Sequence, residues 1–205
     1  MKEPLPLSTV HEAILDFCMG RTDVCVFGAQ AINLHTGVPR MTQDVDLMAA
    51  EPERFAEELA SHLHARFPSQ LAARVRAVRR GERTLGYRVY QSRSEERGGN
   101  RHLADVRALD VPREHLVVEG DVQYTDATLT LAMKAIAAAV RSNLAKRLQD
   151  TADLARLIAA RPEITAEQLA PLWHALGAPA EARDVFERIR AEGGLETETD
   201  EDSFY

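Results

Sequence analysis

Hydrophobic periodicity changes once along this chain, near residue 126, and that change leaves few architectures open. Upstream, "LAARVRAV" (71–78), "TLGYRVYQ" (84–91), "HLADVRAL" (102–109) and "DVQYTD" (121–126) alternate apolar and polar residues, the two-residue period of half-buried strands. Val24-Cys25-Val26-Phe27 and residues 44–49 read as two more strands. Downstream the spacing turns helical over 127–141, 144–160, 165–176 and 179–191. Three helices are expected among the strands. The first runs over 8–19, with Ser8 as cap and Gly20 as stop; the second is short, closed by Gly37 and ended by Pro39. The third covers 51–67, with Pro52 in its first turn, acids early and Arg66 late. The expected fold class is therefore α/β in the α+β sense, a mixed sheet with flanking helices followed by a C-terminal helical bundle. The boundaries fall at 1–126 for the sheet domain and 127–191 for the helical domain. Residues 192–205 form an acidic tail with too little apolar surface to fold.

A chain of 205 residues with 45% hydrophobic and 28% charged residues matches a soluble globular protein. No apolar stretch nears the roughly 20 residues of a membrane span, and the N-terminus lacks the basic start of a signal peptide. Cytoplasmic localisation and no membrane partner are expected. Cys18 and Cys25, both in apolar contexts, make no disulfide framework. Charge is unevenly spread: the chain carries −7 overall, and −1 once the six acids of 192–202 are set aside. Residues 66–113 hold twelve arginines against five acids, a basic stretch suited to a polyanion, or simply to keeping a sheet soluble.

The chemistry gathers in "VCVFGAQAINLHTGVPRMTQDVDLMAA" (24–50). On a strand, residues two apart share a face, so Asp44 and Asp46 project together while Val45 and Leu47 turn to the core. Adjacent carboxylates repel, and a bound divalent cation, Mg²⁺ or Mn²⁺, is the natural remedy, although a surface strand also carries two acids by chance. In "HLADVRALD" Asp105 takes the polar face between Ala104 and Val106; Asp110 competes as third acid but leads into a proline turn. Three such carboxylates suit ions bridging a nucleoside triphosphate and an attacking hydroxyl. Gly28 ends a strand and opens a helix, freeing N–H groups, including that of Ala29, for phosphate. Arg40 and Thr42 stand just before the acids as donors to phosphate oxygens.

The pattern formed by Gly28, Ala31, His35, Gly37, Arg40, Thr42, Asp44 and Asp46 resembles the DNA polymerase β-like nucleotidyltransferases, and looks most like their AbiEii-type branch, which includes toxins of toxin–antitoxin systems. "LAMKAIAAAVRSNLAKRLQDTADLARLI" (131–158) resembles that branch's helical signature at Lys134, Arg141, Lys146 and Asp150. The resemblance spans most of 24–160. It implies a catalytic sheet domain that binds a nucleoside triphosphate and Mg²⁺ and transfers a nucleotidyl group to a hydroxyl, releasing pyrophosphate. It implies metal-holding roles for Asp44, Asp46 and Asp105, triphosphate contacts for Lys134, Arg40 and Arg141, and secondary roles for Lys146 and Asp150. An RNA acceptor, the end of a tRNA, and a cognate antitoxin protein are the partners it suggests. Two departures stand out. Ala29 replaces the usual glycine or serine, and Lys146-Arg147 replaces the usual Lys-Asp pair.

Two other functions fit the same residues: an antibiotic-modifying nucleotidyltransferase of the lincosamide or aminoglycoside kind, and a catalytically idle binding module or antitoxin partner. The remaining candidates have ordinary readings. His62 and His64 are expected as solvated histidines, His35 as a helix-end packing residue, and Trp173 as helical core. Tyr87 and Tyr90 are either base-stacking platforms or plain strand residues. Asp150, spaced for Lys146 and Asp153, is open to being only a surface pair partner.

Overall fold

The structure is a computed structural model and describes residues 5–93 and 99–193. The tail expectation falls, from residue 194 onward, outside the described residues, as does much of the 92–100 turn. Among the described residues seven strands form one mixed sheet: β1 (Val24–Phe27), β2 (Val45–Ala49), β3 (Ala73–Arg80), β4 (Arg83–Gln91), β5 (Arg101–Ala108), β6 (Leu116–Glu119) and β7 (Val122–Thr125). The helices are α1 (Leu7–Cys18), α2 (Ala29–Thr36), α3 (Pro52–Arg66), α4 (Ala127–Val140), α5 (Leu144–Ala160), α6 (Ala166–Ala175) and α7 (Glu181–Ala191). None is long and apolar enough to cross a membrane.

Strand order is β3-β4-β5-β2-β1-β7-β6; the β2/β5 and β1/β7 pairs are parallel and the others antiparallel. The alternation read from the sequence decides which side chains face which way. Val26, Leu47, Val106 and Val45, Ala104, Val89 are register partners across β1, β2, β5 and β4, so they share one face. Val10, Ala13 and Ile14 of α1 and Phe55, Ala56, Leu59 and Leu63 of α3 join them in one buried cluster. Phe17, Phe55 and His62 stack at its margin, with the Phe17 and His62 rings 4.9 Å apart. His62 is thus a packing residue and not the solvated histidine expected.

Two compact units divide the chain: residues up to 31 with 40–125, and residues 32–39 with those from 126 onward. The sequence boundary placed 32–39 with the sheet. Arg156 of α5 explains the difference, because its guanidinium donates to the Val38 carbonyl and lies 3.5 Å from Thr36 Oγ1. In the helical unit Asp126 caps α4, accepting from the Leu129 amide at 2.7 Å, and Asn143 caps α5 through the Lys146 amide. Trp173 is core, as expected: its indole donates to the Ala132 carbonyl and meets Phe186 edge-on at 5.8 Å.

The strand β6 was not legible. Its burial is partial at Leu116 and absent at the next three residues, so no apolar alternation marks it. Gly120 and Asp121 adopt φ of 55° and 63°, the doubly left-handed pattern of a two-residue hairpin turn, and this folds 116–119 back onto β7. Ser8 does not cap α1 either; the helix begins at Leu7, with Pro6 ahead of it and no side-chain cap.

Both cysteines are fully buried, and burial pushes each thiol up to about 12. The native protein is expected to resist a thiol-reactive disulfide reagent at pH 8, where both groups stay protonated, and to release two equivalents once denatured. Rapid labelling before unfolding would contradict this packing.

Candidate active site

The β1–α2 turn is built around one close approach. Gly28 has φ of +65°, and a Cβ there would lie 2.1 Å from Asp46 Oδ2. A carboxylate therefore stands against bare backbone at the mouth of α2, where helix amides favour negative charge. Only glycine permits both the left-handed turn and that approach.

Asp46 belongs to a row that crosses the sheet. Register pairs run Phe27 to Asp46, Asp46 to Asp105, Asp105 to Arg88 and Arg88 to Arg76, so all five side chains project from one face, opposite the α1/α3 face. The parallel β2/β5 pairing sets Asp46 beside Asp105 on adjacent strands. Asp105 is gripped by a planar fork: Arg88 Nε donates to Oδ1 at 2.7 Å and Nη2 to Oδ2 at 2.9 Å. The Arg88 pKa is raised above its ordinary value, first by that hydrogen bonding to Asp105, with attraction from Asp105, Asp44 and Asp46 adding to it. One guanidinium thus senses all three acids.

Asp44 precedes β2 in a bend, so strand alternation does not aim it as the sequence suggested. The bend is held by Thr42, whose hydroxyl donates to the Asp44 carbonyl at 3.0 Å, and Arg40 Nη1 donates to the Met41 carbonyl at 3.2 Å. His11 of α1, nine-tenths buried, lies against the Gln43 backbone and close to Asp44; burial is the largest influence and lowers its pKa. A pocket of about 450 Å³, lined among others by His11, Gln30, Arg40 and Thr42, flanks this bend. A second, of about 330 Å³, opens beside Asp105 between Val78, Arg88 and Arg107. Its floor is bare at Gly86, where a Cβ would stand 2.5 Å from the Val106 carbonyl oxygen.

In the helical unit Lys134 Nζ contacts Asp150 Oδ1 at 2.8 Å and Asp153 Oδ2 at 3.1 Å. Arg141 Nε lies 2.9 Å from Asp150 Oδ2 without hydrogen-bond alignment, and Arg156 reaches Asp153 at 3.8 Å. Asp150 and Asp153 are buried, so Asp150 is no surface partner, and Lys146 is exposed. Arg141 follows the last turn of α4 rather than extending it, yet reaches the same acid as Lys134. Lys134 has three donors and gives two to aspartates.

Sequence reasoning missed Arg88, His11 and Asp153 as partners of candidate site residues. Strand partners cannot be read from one sequence, which hid Arg88. The spacing of Asp153 from Asp150 was visible, but not its burial.

The carboxylates fit a hard divalent ion by donor type, and the Asp46/Asp105 register brings two of them together. Among the described residues, however, no three acid, histidine or cysteine side chains stand ready to hold an ion as they lie, and both oxygens of Asp105 are taken by Arg88.

No protein-family model matches the chain, and no match stands among curated proteins. Solved structures do resemble it. The polyadenylate synthase of Megavirus superposes with a TM-score of 0.56 at 14% identity, over 78% of this chain and 32% of that one. JHP933 from Helicobacter pylori gives 0.49 at 14% identity over 90% and 92%, and an antigenic nucleotidyltransferase-like protein from Paracoccidioides brasiliensis gives 0.44 at 21% over 88% and 94%. The fold is nucleotidyltransferase-like, a mixed sheet with flanking helices and a helical C-terminal part.

Gly28→Ala should cost stability twice, through the left-handed turn and through Asp46. In an Asp46→Gly background only the turn penalty, roughly 1–2 kcal/mol, should remain, which a double-mutant cycle in urea measures. Lys134→Met should lose about 3 kcal/mol, because it removes the cation shared by two buried carboxylates and leaves them only Arg141 and Arg156. An unchanged melting temperature would show that the cluster is solvated.

Proposed function

We propose that the protein is a Mg²⁺-dependent nucleotidyltransferase that moves a nucleoside monophosphate from a triphosphate to a hydroxyl on RNA, in the manner of the AbiEii-type toxins. The observation that carries this reading is the in-register pair Asp46/Asp105 beside Gly28 at the opening of a helix. Asp44, Asp46 and Asp105 are the residues that would hold the ion, Mg²⁺ or Mn²⁺. When bound, it would neutralise the triphosphate and the departing pyrophosphate.

The chain's own groups supply the rest. The Ala29 amide, Arg40 and Thr42 border the acids and orient phosphate oxygens. The family resemblance also names Lys134 and Arg141 as triphosphate contacts; in the structure both are held on the buried Asp150. The acceptor hydroxyl oxygen bonds to the innermost phosphorus as the bond to the pyrophosphate oxygen breaks. Its proton passes to Asp105, and the pocket floored by Gly86 seats the acceptor's terminal sugar beside that carboxylate.

RNA is favoured by the face on which the acids lie. Arg76 and Arg88 continue the acid row to the β3 edge, and the Arg76 guanidinium covers the Tyr90 ring at 5.7 Å. Cations and an aromatic surface beside a nucleotidyl site suit a single-stranded end. A tRNA end is the acceptor of first choice, and an antitoxin protein is the regulator this class would bring.

Incubation with Mg²⁺, total tRNA and each labelled triphosphate in turn tests donor and acceptor together. Labelled RNA is expected from one donor, with RNA binding that weakens steeply as salt rises. Labelling of a lincosamide or aminoglycoside instead would move the acceptor to small molecules, and no labelling at all would leave a binding module. Asp46→Asn should abolish transfer while circular dichroism shows the fold retained.

A further inference from the structure

The reading above gives Arg88 only a share in the basic edge, yet it is the group that directly grips the third carboxylate. Building on the proposed metal role of Asp44, Asp46 and Asp105, we propose that Arg88 is the built-in counter-cation of the acid row: it competes with the divalent ion for Asp105, so the ion binds fully only when the guanidinium lets go.

Geometry makes the competition direct. The fork takes both Asp105 oxygens at 2.7 and 2.9 Å, the distances of a charge-assisted bidentate pair. The two side chains are only 24% and 19% exposed, so solvent screens the pair weakly. Arg88 is fixed opposite Asp105 by the antiparallel β4/β5 register and cannot drift along the strand. Asp46 stands beside Asp105 on the neighbouring strand, so the Arg88 charge lies next to both acids. A cation entering between Asp46 and Asp105 meets a like charge already on the second carboxylate.

A plain sheet-stabilising pair predicts something different. Its removal would lower stability and leave ion affinity alone or weaken it. Competition predicts opposite signs: lower stability without the ion, and tighter ion binding.

The test measures Mn²⁺ binding by the loss of the free-ion paramagnetic resonance signal for the unaltered protein, Arg88→Met, Arg88→Lys and Asp46→Asn. Arg88→Met should bind Mn²⁺ about tenfold more tightly, the size that coupling between adjacent groups commonly reaches. Arg88→Lys, which keeps the charge but not the fork, should fall between, and carries the test alone if Arg88→Met does not fold. Melting without Mn²⁺ should drop in Arg88→Met, and its rise on adding Mn²⁺ should exceed that of the unaltered protein. If the Arg88 variants bind Mn²⁺ no more tightly than the unaltered protein while Asp46→Asn loses it, the competition is overturned and the metal site stands. No Mn²⁺ binding by any of the four at millimolar concentration overturns both.

Discussion

The parallel pairing of β2 with β5 is the constraint on which the rest of the sheet unit depends. Five consecutive register pairs join Val45–Ala49 to Ala104–Ala108. On one face they place Val45, Leu47, Ala104 and Val106 against the α1/α3 core, and on the other they place Asp46 beside Asp105. A slip of one residue would bury both carboxylates and expose the valines, so apolar burial holds the acids in register. The hydrophobic effect thus pays for an electrostatic arrangement that would not assemble by itself. Two carboxylates on neighbouring strands repel, and roughly 4.8 Å of strand spacing does little to relieve them.

Each unit answers its own charge problem with arginine or lysine, but in different ways. The sheet unit sets one half-buried guanidinium, Arg88, on the half-buried Asp105, with Asp46 in register on the next strand. The helical unit buries Asp150 and Asp153 outright and surrounds them with Lys134, Arg141 and Arg156. The second arrangement is closed and fixes the packing of α4 against α5. The first sets a bidentate guanidinium on one acid, Asp105, with Asp46 beside it.

Much of this was legible in the chain, for reasons that can be named. Strands β1 to β5 and β7 announce themselves by alternation or by a short apolar run, and α4 to α7 by helical spacing; the caps Asp126 and Asn143 were not read from it. The turn at Gly28 was legible as a strand-to-helix junction, although its reason was not. The glycine was read as a phosphate cradle; a further reason for it, that a Cβ there would collide with Asp46, 18 residues along the chain, has no local signature. Hairpin β6 escaped because it buries almost nothing and is set by Gly120 and Asp121 rather than by a hydrophobic pattern. The displaced 32–39 segment escaped because its tie is a guanidinium on α5 reaching a backbone carbonyl, a contact with no periodic signature. Local patterns encode elements; long-range ionic contacts decide how residues within them are used.

The distribution of charge on the acid-bearing face completes the physical picture. A net charge of −7 would repel a polyanion at long range, but screening at physiological salt limits that repulsion to about 8 Å. At shorter range the local field decides. From the acids outward, the row passes to Arg88 and Arg76, with the exposed Arg74, Arg79 and Arg80 on the same edge strand β3. An incoming phosphate chain therefore meets cations at the sheet edge before it meets carboxylates at the centre. Under the proposed function, an RNA end would come in with its backbone on the arginines and its terminal hydroxyl toward Asp105.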